Sequence, residues 1–236
     1  MMAAHIKSKE RVANHGEVFT PEWIVNAMLD LVKQETERIE SRFLEPACGT
    51  GNFLIEILRR KLAIVDRRYR RSRVEWERNG VLAVSSLYGI ELLEDNCQEC
   101  RDRLFGLFDE AYTARFKTRA RDDWRNSIRF LLRRNIIWGD ALALKTVQEP
   151  AGPIVFSQWS PVNGSLIKRK DFVFEELLRG PDDAGFAPVQ ASLFGDGQLS
   201  LAQALVSDRG EPVYLPRALR EFPPVHYLEI GCAFAD

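Results

Sequence analysis

The chain has 236 residues, of which 45% are hydrophobic and 28% charged, with a formal net charge of −1 and a pI near 6.4. This composition excludes a mostly disordered chain, and the length suits one α/β core, alone or with a small appendage. No apolar run is long enough to span a bilayer and the first ten residues lack the apolar stretch of a signal peptide, so a cytoplasmic protein without membrane contact is expected.

The first clear element is a helix over residues 21 to 40. Trp23, Ile24, Ala27, Met28, Leu31 and Val32 fall at helical spacing, and Thr20 before Pro21 reads as an N-cap followed by an N1 proline. A short apolar run at 42–44 is broken by Pro46 and the glycines Gly49 and Gly51, after which 52–65 regains helical periodicity. A second apolar run, 86–90, ends in Glu91 and leads into a helix over 95–108. A third, 135–138, ends at Gly139-Asp140, and a fourth spans 153–157. Strands alternating with helices imply a parallel sheet with right-handed crossovers, whose carboxyl edge gathers the loops that bind ligands.

From about residue 178 the texture becomes rich in glycine and proline, with one apolar stretch at 199–206, and reads as a loop-rich tail holding one helix and a late strand near 225–230. The division expected is therefore a main α/β domain at 1–178, which carries the site, and a loop-rich extension at 179–236 that completes or flanks the sheet. The four cysteines give no disulfide framework, and the lone Cys97-x-x-Cys100 pair reads as helix packing, with no metal site expected. Arginines cluster between Arg59 and Arg73 and again between Arg115 and Arg134. Each cluster reads first as a solvated helix face, with a phosphate-contacting patch as the sharper alternative.

Three strand ends carry the chemistry. In Glu45-Pro46-Ala47-Cys48-Gly49-Thr50-Gly51, the missing side chains of Gly49 and Gly51 let backbone approach a ligand just before a helix N-terminus. Glu91 closes the next strand, where a carboxylate can accept from two ribose hydroxyls, and Asp140 closes the third, placed to accept from an adenine amino group. Acids at such junctions also cap helices, so the weight lies on finding all three in succession.

Phe19-Thr20-Pro21, the Glu-Pro-Ala-Cys-Gly-Thr-Gly loop, Tyr88-Gly89-Ile90-Glu91 and Gly139-Asp140-Ala141-Leu142 together resemble the successive motifs of N6-adenine DNA methyltransferases of restriction-modification systems, in gamma-type order. The resemblance covers roughly residues 15 to 160. It implies a class I, Rossmann-like methyltransferase fold with a mostly parallel sheet flanked by helices, S-adenosyl-L-methionine as cofactor, and DNA as partner. By the same resemblance Phe19, Thr20 and Pro21 border the methionine end, and Glu45, Ala47, Gly49 and Gly51 cradle the cofactor. Glu91 holds the ribose, and Asp140 with Ala141 meets the adenine. Trp23 and Phe53 fit core positions better than pocket walls.

The family's Asn/Asp-Pro-Pro-Tyr/Phe catalytic motif is altered. It supplies acceptors for the target amino group and a ring that stacks on the flipped base. After the fourth strand this chain reads Ser157-Gln158-Trp159-Ser160-Pro161-Val162-Asn163, leaving Trp159, Ser160, Pro161 and Asn163 as the candidate catalytic residues. The later Phe222-Pro223-Pro224-Val225 reads as a proline-rich turn. The basic stretch Lys168-Arg169-Lys170 is a further candidate for phosphate contact, and without a target-reading segment a partner subunit is expected to supply specificity. Three functions follow: an adenine-N6 DNA methyltransferase or methylation subunit of a restriction-modification or defence system, a catalytically inactive methyltransferase-like binding or regulatory subunit, or a methyltransferase of non-DNA substrates.

Overall fold

A computed structural model describes residues 8–15, 17–178, 205–206, 212–213 and 216–234. In chain order, helices α1 (Lys9–His15), α2 (Glu22–Asp30) and α3 (Lys33–Thr36) precede strand β1 (Phe43–Glu45). Helices α4 (Asn52–Tyr69) and α5 (Arg73–Ser85) lead to β2 (Leu87–Glu91). The long α6 (Glu94–Phe116), a 3-10 turn at Lys117–Arg119 and α7 (Asp122–Asn135) lead to β3 (Ile136–Asp140). Then come β4 (Lys145–Thr146), β5 (Val155–Pro161), β6 (Leu166–Val173), α8 (Phe174–Leu178), β7 (Leu205–Val206), β8 (Pro212–Val213), β9 (Arg220–Glu221), β10 (Val225–His226) and α9 (Ile230–Ala233). Among the described residues no helix is long and apolar enough to cross a membrane.

The first sheet has the order β1-β2-β3-β4, with β1, β2 and β3 parallel and the short β4 antiparallel to β3. Alternation along β2 sends its residues to two covered faces, and all five are buried. Cys48 and Leu54 lie against Gly89 from the α4 side, while Tyr88 and Ile90 join Ile154, Phe156 and Phe174 on the other. Behind the helices, Trp76 of α5, Phe108 and Tyr112 of α6 and Trp124 of α7 form one aromatic cluster, with Tyr112 and Trp124 centroids 4.0 Å apart.

The expected parallel arrangement extends over three strands and not to the fourth. β5 pairs antiparallel with β6 along its whole length, in a second sheet ordered β10-β6-β5 with β9 also on β6. A four-residue turn between β5 and β6 makes a hairpin the cheapest pairing, because a parallel partner needs a long crossover. The hairpin lies across the face of the first sheet: Tyr88 and Phe156 meet edge-on at 5.3 Å, and the Tyr88 hydroxyl donates to the Ser157 carbonyl at 3.1 Å.

Two boundaries differ from expectation. The helix read over 21–40 breaks into α2 and α3, and its cap position is Pro21, with no side-chain cap from Thr20. Val25 and Leu29 form its buried face, whereas Trp23, Met28, Leu31 and Val32 are exposed. Near the C-terminus, the strand read over 225–230 is only Val225–His226, and α9 begins at Ile230. The apolar stretch at 199–206 falls mostly outside the described residues, and its last two, Leu205–Val206, are strand β7. The segment 216–234 packs onto the body: β10 pairs with β6, and the Tyr227 hydroxyl reaches Glu77 at 2.7 Å.

Candidate functional site

The carboxyl ends of β1, β2 and β3 lie side by side, as parallel pairing requires, and the loops that leave them carry the candidate residues. After β1 the chain turns back over β2, where the Cys48 amide donates to the Ile90 carbonyl at 2.9 Å. Gly49 at φ 53° and Gly51 at φ 88° then hold left-handed conformations that side chains disfavour. The two glycines have different neighbours. A Cβ on Gly49 would meet the Phe19 ring at 3.4 Å, whereas a Cβ on Gly51 would meet Cys100 Sγ at 2.6 Å. Gly49 thus faces the outer side of the loop, and Gly51 faces inward onto α6.

Glu91 joins the first two strand ends. Its Oε2 accepts from the Gly49 amide at 2.8 Å and its Oε1 from the Leu93 amide at 3.0 Å. A carboxylate has about four acceptor directions, so two remain after these bonds. Glu45 accepts from the Ala47 amide at 3.3 Å, and burial raises its carboxyl above the usual range, partly offset by that bond. Asp140 closes a turn of its own, with Oδ1 accepting from Leu142 and Ala143 at 2.8 and 3.0 Å, and Ala141 lies within that turn.

The Phe19-Thr20-Pro21 segment comes to the same edge. The Asn52 side chain donates to the Thr20 carbonyl at 3.0 Å, which seats Phe19 beside Gly49. The segment is anchored by Glu17, a nearly buried carboxylate that accepts from Arg11 at 2.6 Å and from Asn96 at 2.5 Å. Arg103 of α6 clamps the loop from outside, donating to the Thr50 carbonyl, the Thr50 hydroxyl and Asn52 Oδ1 within 2.9 Å. Glu17 and Arg103 went unread in the sequence because each acts on a partner tens of residues away. A clue existed only for Glu17, an acid two residues before Phe19.

The buried thiols beneath the loop are packing groups. Contact with Cys100 and burial both push the Cys48 thiol upward, and burial raises Cys97 to about 11. Thiols held neutral in this way are poor nucleophiles and poor ligands. Trp23 is exposed and Phe53 is half-buried against the core.

The candidates of the altered motif go elsewhere. β5 starts near the carboxyl end of β3, where Ile154 lies against Gly139, and runs toward its amino end. There Trp159 is buried, donating to Asn135 Oδ1 at 3.4 Å and meeting Phe130 and Phe234 edge-on. Ser160 and Pro161 pair with Lys168 and Ile167, and Asn163 is exposed in the hairpin turn. The structure therefore brings Phe19, Thr20, Pro21, Glu45, Ala47, Gly49, Gly51, Glu91, Asp140 and Ala141 to one edge, and leaves Trp159, Ser160, Pro161 and Asn163 toward the other. The basic stretch at 168–170 is also committed: Lys168 and Lys170 pair with Glu221 at 2.7 and 2.6 Å, and Arg169 is buried on Asp171 at 2.7 Å. These pairs hold the Glu221 carboxyl down to about 2.

The largest cavity described, about 800 Å³, lies along the outer side of β3, lined by Arg101, Arg133 and Trp138 among others, and not over the glycine loop. At the loop, the groups that face a ligand are its backbone and Glu91. No curated protein and no solved structure matches the chain. Residues 5–96 match the family model described as N-6 DNA Methylase, a span that holds Phe19, the glycine loop and Glu91 and ends on the first turn of α6. Over this site-bearing segment the chain is similar to the N-6 DNA methylase family.

Proposed function

We propose that this protein binds S-adenosyl-L-methionine at the carboxyl edge of β1 and β2, as the cofactor-holding part of an adenine-N6 DNA methyltransferase with a class I fold. One observation carries the reading: Gly49, in a left-handed conformation with no Cβ, is tied by its amide to the carboxylate of Glu91 and bordered by the ring of Phe19. Backbone that a ligand can approach, a carboxylate with acceptor capacity left for ribose hydroxyls, and an apolar ring for the methionine end fit this cofactor. Glu45 and Ala47 complete the cradle, and Asp140 with Ala141 meets the adenine. When bound, the cofactor supplies the electrophilic methyl group. This chain's residues orient it and keep its ribose and adenine fixed.

The placement of Trp159 to Asn163 favours a second reading, in which the chain is a methyltransferase-like binding or regulatory subunit and the acceptor groups come from a partner subunit. An amino group cannot be positioned for attack by residues at the opposite end of the sheet from the sulfonium methyl.

Calorimetric titration with S-adenosyl-L-methionine tests the shared part. Micromolar binding by the wild type and none by Gly49→Val supports the site, while equal heats from both chains remove it. A methyl-transfer assay on adenine-containing duplex DNA then separates the readings. Transfer by the chain alone favours the first, and transfer only with an added partner favours the second.

A further inference from the structure

The fold joins the two arginine clusters that the sequence shows far apart. α4 and α6 both start at the carboxyl edge and end at the other side of the molecule, so the last turn of α4 and the end of α6 become neighbours. Arg115 donates to the Arg70 carbonyl, and Arg73 donates to the Arg119 carbonyl at 3.2 Å. Between them lies an open cavity of about 540 Å³, lined by Ala63, Asp66, Arg67, Arg70, Arg71 and Arg115.

Two acids beneath the surface are already taken, Asp122 pairs with Arg125, and Asp123 lies exposed past residue 121. Asp66 accepts from Trp76 Nε1 at 2.9 Å and pairs with Arg115 at 3.0 Å. Glu77 is buried under the hydroxyls of Tyr112 and Tyr227 and pairs with Arg73. Among the described residues Arg67, Arg70, Arg71, Lys117, Arg119 and Arg121 are all exposed and form no ion pair. The negative end of the α4 dipole accounts for a cation or two on its last turn. It does not account for Arg70 and Arg71 beyond that helix, nor for the second group past the end of α6, set against the first. Like charges so placed repel one another, and a polyanion with several phosphates relieves that repulsion while using the guanidinium forks.

We propose that this surface, made of the α4 end, the 70–72 turn and residues 117–121, binds the phosphate backbone of duplex DNA away from the glycine loop. Its distance from that loop follows from the length of α4, roughly 25 Å for the 17 residues from Asn52 to Arg68. It is therefore a second contact, able to hold DNA without meeting the base presented at the cofactor edge. The choice of DNA rests on the family reading above, whereas the affinity for phosphates rests on the unpaired cations alone.

The test is the fluorescence anisotropy of a labelled duplex of arbitrary sequence, titrated with the full chain between about 50 and 200 mM salt. A variant with Arg67→Gln, Arg71→Gln, Arg119→Gln and Arg121→Gln is set against a control with Lys33→Gln and Arg217→Gln, both exposed. The patch variant should bind at least ten-fold more weakly, with a salt slope reduced by about 0.9 for each phosphate no longer neutralised, roughly 2 to 4 in all. The control should weaken far less. Equal binding by wild type and patch variant overturns the proposal. So does tighter binding of single-stranded RNA or of polyglutamate than of the duplex, which would assign the surface to another polyanion. Cofactor titration of the same proteins keeps the two readings apart: the patch variant should bind S-adenosyl-L-methionine like the wild type, and absence of cofactor binding in every protein would leave the DNA result standing.

Discussion

The two ends of the parallel strands are built on opposite plans. At the carboxyl end, backbone amides donate to carboxylates that retain acceptor capacity, with Glu91, Asp140 and Phe19 gathered around the glycine loop and the neighbouring turn, and Glu17 and Arg103 fasten the loop from its flanks. At the amino end, charged and polar groups are consumed by one another inside the protein. Arg169, 2% exposed, lies between Asp171 and the rings of Phe222, Phe234 and Trp159, and Asp171 also accepts from Ser157 and pairs with Arg134. Lys61, fully buried, donates to the Ile39 and Ser41 carbonyls and to the Ser86 hydroxyl. Saturated polar networks fix a structure, and unsaturated ones leave capacity for a ligand.

Breaking the closed end should have the largest effect. Arg169→Leu leaves Asp171 only the Ser157 hydroxyl and the longer Arg134 pair, and should lower stability by about 3–5 kcal/mol, the usual result of removing one partner of a buried ion pair. Urea unfolding measures it, and a loss under about 1 kcal/mol would show that the network does not fasten this end of the sheet. Next comes Gly51→Ala. It forces a left-handed conformation costing about 1–2 kcal/mol and drives a methyl into Cys100 Sγ. Adding Cys100→Ala should recover the steric part, so a double-mutant cycle should show coupling of at least about 0.5 kcal/mol.

A change on the open side should touch binding more than folding. Glu91→Gln keeps the shape of the strand end but loses the charge, and should weaken S-adenosyl-L-methionine by about 1–3 kcal/mol in calorimetry. Unaltered affinity would take Glu91 out of the site. A further effect is a pH dependence at the closed end. Burial lowers Lys61 from 10.5 to about 7, countered by Glu40 and Glu35. Between those values the unfolded chain carries the proton and the folded chain does not, so stability should rise as pH climbs from about 7 toward 10. In Lys61→Met that rise should be absent from urea midpoints taken across the range.

The cofactor edge is legible in the sequence because its signals are local. Gly49 and Gly51 mark a loop that needs left-handed backbone, and Glu91 and Asp140 end apolar runs at successive strands. The carboxyl side of a parallel sheet follows from that order alone. Helices α5 and α7 escape such a reading, since α5 is buried on most sides and shows little periodicity, and α7 lies within an arginine cluster. The exposed face of α2 passes for core in the sequence, because helical spacing identifies an apolar stripe without saying whether anything covers it.

The sequence by itself therefore determined the α/β alternation, the glycine loop and the acids that close β2 and β3, all of which depend on residues within one turn of one another. Only the tertiary structure decided that β5 leaves the parallel sheet to pair with β6, carrying Trp159 to the amino end. It alone showed that the two arginine clusters meet and that Arg169 is buried. Those outcomes depend on long-range pairing and on competition for partners, where the energy of a charge is set by what lies beside it in space.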